Sequence, residues 1–114
     1  MAVEQYRIYI QQLLTERVER TKNNLYPSPV EKQLIFDTER DHYQLVNVGW
    51  NYNEDRNYGC VLHLDIKDGK IWIQHDGTEE GIANALVALG VPKQDIVLAF
   101  HAPSMRKYTD FAIN

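Results

Sequence analysis

The sequence predicts an α+β fold: a long N-terminal helix, an antiparallel four-stranded meander, a second helix, a fifth strand and a short C-terminal tail. Three observations carry this reading. Two runs of alternating apolar and polar residues flank Asp68-Gly69, the dipeptide that best tolerates the two positive φ angles of a type I′ hairpin turn. Apolar residues recur at three- and four-residue intervals over residues 2 to 22. After Asp76-Gly77 the pattern again takes a helical period and stops at Gly90 and Pro92. With 114 residues, 44% hydrophobic and 25% charged, the chain reads as one domain, 1–114, able to form a core without disulfides or metal.

Taken in order, the first helix places Val3, Tyr6, Ile10, Leu13, Leu14, Arg17 and Thr21 on one stripe, widened by Tyr9 and Val18. Such a helix must lie on something apolar, and the sheet is the obvious support. Tyr26-Pro27-Ser28-Pro29 forbids regular structure, so residues 23 to 30 are expected to be a loop. Residues 31 to 38 form the first strand around Leu34-Ile35-Phe36, and Glu39-Arg40-Asp41 is a turn. Residues 42 to 50 form the second strand, with Val46, Val48 and Trp50 on one face and Tyr43, Leu45 and Asn47 on the other. A polar connection over 51 to 56 leads into the central hairpin. Beyond it, Thr78 is the expected N-cap of a helix whose first turn holds Glu79 and Glu80 and whose stripe is Ile82, Ala85, Leu86 and Leu89. Ile96 to Phe100 reads as a short buried strand, 104 to 109 as a helical turn or irregular tail, and Phe111 and Ile113 as tucked in at the end.

A two-residue turn at Asp68-Gly69 fixes the hairpin register. Lys67 faces Lys70, Ile66 faces Ile71, Asp65 faces Trp72, Leu64 faces Ile73 and His63 faces Gln74. Leu62, Leu64, Ile66, Ile71 and Ile73 then form the core face. The other face carries His63, Asp65, Lys67, Lys70, Trp72 and Gln74, and is solvent or a binding surface. Tyr43 and Trp50 join these six as the candidate interaction surface, because aromatic residues anchor protein interfaces. The competing reading puts the indoles over the core beneath the helices.

Little in the sequence points to chemistry. Leu64-Asp65-Ile66-Lys67 matches the acid-x-Lys strand of a large nuclease superfamily, in which Asp65 would help bind Mg²⁺ and Lys67 would orient the attacking water. That chemistry needs a second carboxylate; Asp37, Asp41 and Asp55 precede it, none in a recognisable setting. His63 and His75 fall on opposite faces in this register, which argues against a shared metal, and His75 is expected to be partly buried at the mouth of the core. Cys60 reads as a small buried hydrophobe, and no serine or glycine pattern supports a nucleophile or a phosphate-binding loop. No catalytic, cofactor-binding or metal residue is therefore assigned. A net charge of −4 makes the chain a poor match for duplex DNA and favours a protein partner. Direct DNA contact requires Arg17, Arg20, Lys22, Lys67, Lys70, Lys93, Arg106 and Lys107 to gather on one surface. No apolar run approaches a membrane span and the N-terminus lacks a secretory pattern, so no membrane and a cytoplasmic location are expected.

Several of these segments carry a specific resemblance. Gln33-Leu34-Ile35-Phe36-Asp37-Thr38-Glu39-Arg40-Asp41-His42-Tyr43-Gln44-Leu45, Val48-Gly49-Trp50 and the whole run from Tyr58 to Gln74 resemble the XisI family of cyanobacterial excision controlling factors. Asp76-Gly77-Thr78-Glu79, Gly81-Ile82-Ala83, Gly90-Val91-Pro92 and Asp95 to His101 continue it, from about Tyr6 to Ala112 in all. The resemblance implies a non-enzymatic accessory protein that acts with a companion, XisH, on a separate site-specific recombinase excising the fdxN DNA element during heterocyst differentiation. The companion resembles the restriction-endonuclease fold, which moves the nuclease expectation off this chain. An antitoxin-like restraint of that companion is a variant of the same reading. No catalytic residues or cofactors are implied. A homo-oligomer is also expected, on the ground that the last strand and tail leave a sheet edge open.

Overall fold

The structure, a computed structural model, describes residues 2–22 and 28–114. Helix α1 (Ala2–Lys22) is followed by strands β1 (Glu31–Asp37), β2 (His42–Trp50), β3 (Arg56–Lys67) and β4 (Lys70–Asp76). Helix α2 (Ile82–Ala88), a 3₁₀ turn at Lys93–Asp95, strand β5 (Ile96–Leu98) and a 3₁₀ segment at Pro103–Tyr108 complete the order. The strands form one sheet in chain order. The first four are antiparallel as expected, but β5 pairs with β4 in parallel, Ile71 opposite Ile96 and Ile73 opposite Leu98, so the sheet is mixed. A parallel neighbour requires a crossover, and α2 supplies it. Of the loop expected at 23 to 30, residues 23–27 lie outside the described residues.

Both helices cover the same side of the sheet. α1 lies on β1, β2 and β3 and touches α2. Its Tyr6, Ile10, Leu13, Leu14 and Val18 close over Tyr43, Leu45, Leu62, Leu64, Ile66, Ile71 and Ile73, with Ile82, Leu86, Val91 and Ile96 filling the α2 side. Each such aliphatic side chain is worth about 1.5–3 kcal/mol of burial, which supplies the support that an isolated amphipathic helix lacks. At the edge of this layer Arg7 clamps Asp41, its Nε 2.7 Å from Oδ1 and its Nη2 3.0 Å from Oδ2. Asp41 Oδ1 also accepts the Tyr43 hydroxyl at 3.0 Å. The guanidinium of Arg7 therefore holds the Asp41 carboxyl below the usual carboxylate range, against the opposing effect of burial.

The central hairpin forms as its turn dictates near Asp68 (φ 52°) and Gly69 (φ 77°), and the first four predicted pairs are present. Farther from the turn the register slips between His63 and Leu64, where Gln74 is the extra residue, so His63 stands opposite His75 and Leu62 opposite Asp76. A second slip, between Leu45 and Val46, makes Val61 the extra residue on β3.

Other departures have local causes. The second helix begins at Ile82, not after Thr78, because the Asp76 carboxylate takes the Thr78 N–H at 2.9 Å and the Ile82 N–H at 2.7 Å. It thus holds the intervening residues in a turn and caps the helix from a strand end. Glu80 instead pairs with Arg20 (2.9 Å) and Arg17 (3.7 Å) on α1. At the other end Gly90 (φ 107°) sits at C′ as predicted, and Val91 N–H closes on the Leu86 carbonyl at 3.1 Å. The β5 edge expected to be open is partly closed, because Ala112 bridges in parallel to Val97 and its N–H reaches the Ile96 carbonyl at 2.9 Å. Ala112 is the buried residue of the tail; Ile113 is exposed.

Candidate functional site

Strand alternation sorts the side chains not used in the core onto the other face of the sheet, which neither α1 nor α2 covers. Ile35 of β1, then His42, Gln44, Val46, Val48 and Trp50 of β2, lie there beside Arg56, Tyr58, Cys60, His63, Asp65 and Lys67 of β3 and Trp72 and Gln74 of β4. The structure thus brings seven of the eight expected surface residues, His63, Asp65, Lys67, Lys70, Trp72, Gln74 and Trp50, to the helix-free side or its rim. Tyr43 is the exception: it belongs to the core, not to the surface. It is 0% exposed, stands opposite Leu64 under α1, and burial followed by its bond to Asp41 pushes its pKa up to about 12. Neither indole caps the core, so that alternative is also overturned.

The face has two ends of different character. At one, Trp50 is 57% exposed and Tyr52 and Tyr58 are exposed beside it. The Arg56 guanidinium carbon lies 5.3 Å from the Trp50 ring and 5.6 Å from the Tyr58 ring, joining them in a cation–π ladder. At the other, Trp72 is half-buried between the Lys67 ammonium, 4.7 Å from its ring, and Arg106 of the tail, 5.6 Å away. Its indole N–H donates to the Lys67 carbonyl at 3.1 Å. Lys70 reaches the carbonyl of Asn114 at 2.5 Å. The tail therefore folds against this end of the sheet.

Asp65 is the polar centre. Its Oδ1 lies 2.8 Å from His42 Nδ1 and 2.9 Å from His63 Nε2, while Oδ2 accepts from Gln74 Nε2 at 3.1 Å. Gln44 Nε2 stands 3.3 Å from the other nitrogen of His63. A carboxylate oxygen is an acceptor, so each facing ring nitrogen is placed to donate to it. The sequence puts His63 and His75 on opposite faces and His75 partly buried; the bulge at Gln74 instead sets the two directly across from one another, and His75 is exposed. The histidine that joins His63 is His42, directly across from Asp65 on β2. Only the β2–β3 register reveals this, and no short turn fixes that register.

The acid-x-Lys reading does not gain its second carboxylate. Asp37 accepts the N–H groups of Glu39 and Arg40, Asp41 is held by Arg7 and Tyr43, and Asp55 belongs to the turn closed on Asn51. Asp65 is engaged by two histidines and a glutamine, and Lys67 covers an indole. Cys60 is exposed, not a buried hydrophobe, yet burial of its sulfur raises the thiol pKa and Sγ sits 3.2 Å from the Leu62 carbonyl. That favours the unreactive thiol over a nucleophilic thiolate. The basic residues do not converge: Arg17, Arg20 and Lys22 pair with Glu80 and Glu19 on the helix layer, while Lys67 and Arg106 flank Trp72 on the open face. Among the described residues, no helix is long and apolar enough to cross a membrane.

Comparison with known proteins agrees with this architecture. The XisI family, described as XisI protein, matches residues 1–113. A crystal structure of a XisI-like protein from Anabaena variabilis ATCC 29413 is 46% identical, with a TM-score of 0.85 and complete coverage of both chains. That of the fdxN element excision controlling factor XisI from the same organism is 36% identical, with a TM-score of 0.82 and again complete coverage of both. No curated protein matches the chain. A family match over nearly every residue, joined to the same fold at these identities, has one reading: the chain belongs to the XisI family.

Proposed function

We propose that this chain is a non-enzymatic regulatory subunit that controls excision of a DNA element by binding an XisH-like nuclease-fold partner through the helix-free face of its sheet. The observation that carries the reading is the exposed aromatic end of that face, Trp50 and Tyr58 bridged by Arg56. Trp, Tyr and Arg are the side chains that most often dominate interface energetics, and here they stand on rigid strands with little entropy left to lose. The scattered cations and the net charge of −4 favour a protein over bare duplex DNA as the direct partner. Strand exchange belongs to the recombinase in this reading, and the chain acts on its accessory.

Size-exclusion chromatography with light scattering, on the chain alone and mixed with its genomic XisH-like neighbour, tests the proposal. A joint peak of defined stoichiometry is expected for the native chain and its loss for Trp50→Ala/Tyr58→Ala. Separate peaks at micromolar concentrations across several salt conditions would overturn it.

A further inference from the structure

We propose that His42, His63 and Asp65 form a binding site for one divalent transition-metal ion of the zinc class on the open face of the sheet. The three ligand atoms, His42 Nδ1, His63 Nε2 and Asp65 Oδ1, all lie within 4.8 Å of one another. In tetrahedral zinc, with bonds of about 2.0–2.1 Å, ligand atoms stand roughly 3.3 Å apart. The two nitrogen–oxygen separations here are 2.8 and 2.9 Å and each opens by about half an ångström to admit the ion, while the two ring nitrogens, within 4.8 Å of each other, settle to the same spacing.

Three features make this a built arrangement. Its residues stand on adjacent paired strands, with His42 directly opposite Asp65 and His63 two positions along. The atoms not facing the ion are already held: Asp65 Oδ2 by Gln74 Nε2 at 3.1 Å and His63 Nδ1 by Gln44 at 3.3 Å. Such outer partners fix the orientation of metal ligands. Binding requires His42 Nδ1 and His63 Nε2 to be free of hydrogen, which a neutral imidazole provides by carrying its hydrogen on the other nitrogen. For His63 that places Nδ1–H against Gln44, whose amide accepts it by turning its oxygen inward; His42 presents Nε2–H to water. Finally, access is open, with side-chain exposures of 56% for His42, 30% for His63 and 17% for Asp65.

Two imidazoles and one carboxylate favour zinc, cobalt or nickel over the oxygen-seeking magnesium and calcium ions. Three protein ligands on an exposed face leave a coordination position for water or for a ligand atom from outside the chain.

Calorimetric titration of the full chain with Zn²⁺, and Co²⁺ titration followed by visible absorption, test the assignment. One Zn²⁺ per chain is expected, with a tetrahedral Co²⁺ spectrum and no heat from Mg²⁺. His42→Ala, at an exposed position that leaves the fold intact, and Asp65→Asn should each weaken Zn²⁺ binding at least tenfold, and His75→Ala should leave it unchanged. Absence of saturable Zn²⁺ binding, or equal affinity in native chain, His42→Ala and Asp65→Asn, would overturn the site, as would loss of binding in His75→Ala alone.

Discussion

The two faces of the sheet are made by the same strands and obey opposite rules. On the helix-covered face, Leu62, Leu64, Ile71 and Ile73 are fully buried among Ile10, Leu14 and Ile82, and shape complementarity decides what each position tolerates. On the open face, alternate residues of the same strands carry histidine, aspartate, lysine and tryptophan, held by hydrogen bonds and cation–π contacts at distances set by cross-strand register. A sheet in a protein of this size needs one covered face for stability. It leaves the other available for recognition, so substitutions on the two sides should separate stability from function.

The largest effect is expected at the centre of the covered face. Leu64→Ala leaves a cavity beneath α1 with no mobile neighbour to fill it, and should cost about 2–5 kcal/mol in a urea unfolding titration. A variant that unfolds with the midpoint of the native chain would mean that the helices pack on the sheet more loosely than the buried residues indicate.

A smaller effect, with a pH signature, belongs to the rim where Arg7 and Tyr43 meet Asp41. Asp41→Ala strips the acceptor from a fully buried phenol, a loss of about 1–3 kcal/mol. Because the folded-state pKa of Asp41 is lowered, chiefly by its bond from Arg7, the carboxylate contributes stability above its unfolded pKa of about 3.9. That contribution is lost as pH falls through the folded value. Thermal melts between pH 7 and pH 2 should therefore show a steeper acid decline for the native chain than for Asp41→Asn. Parallel declines would assign the acid sensitivity to other carboxylates.

The covered face was legible in the sequence because its signals are local. Asp68-Gly69 set the first pairs of the hairpin, helical spacing gave the stripe of α1, and Gly90 marked the end of α2. The open face was legible only in part. Trp72 and Asp65 follow from the hairpin alone, but the partner of Asp65 comes from β2, whose alignment on β3 depends on the five-residue connection 51–55 and on an extra residue at Val61. Neither has a turn chemistry that fixes register, so the sequence alone does not align His42 and Gln44 with β3 or bring Arg56 between two rings. The same limit explains His75, displaced by the bulge at Gln74, and Tyr43, which an aromatic count alone assigned to the surface although its strand face is that of Leu45. Helix α2 started late for a related reason: Asp76 caps it across six residues, beyond the reach of a local capping motif.

The smallest expected effect on stability sharpens the contrast most. Tyr58 stands on β3, as Leu64 does, but on the other side, exposed and in contact with Arg56. Truncating it removes little buried surface and strands no polar group, so Tyr58→Ala should lie within about 0.5 kcal/mol of the native chain in urea. If the open face is a docking surface, the same substitution should raise the dissociation rate of the XisH-like partner in a surface-binding assay, because interface truncations act mainly on complex lifetime. A destabilisation near that of Leu64→Ala would show that the aromatic end shares in the core. Full stability with an unaltered complex lifetime would move the docking surface away from it, towards the end where Trp72 meets the tail. Stability and binding read on one variant thus distinguish whether the second side of the sheet is merely uncovered or is kept uncovered for a partner.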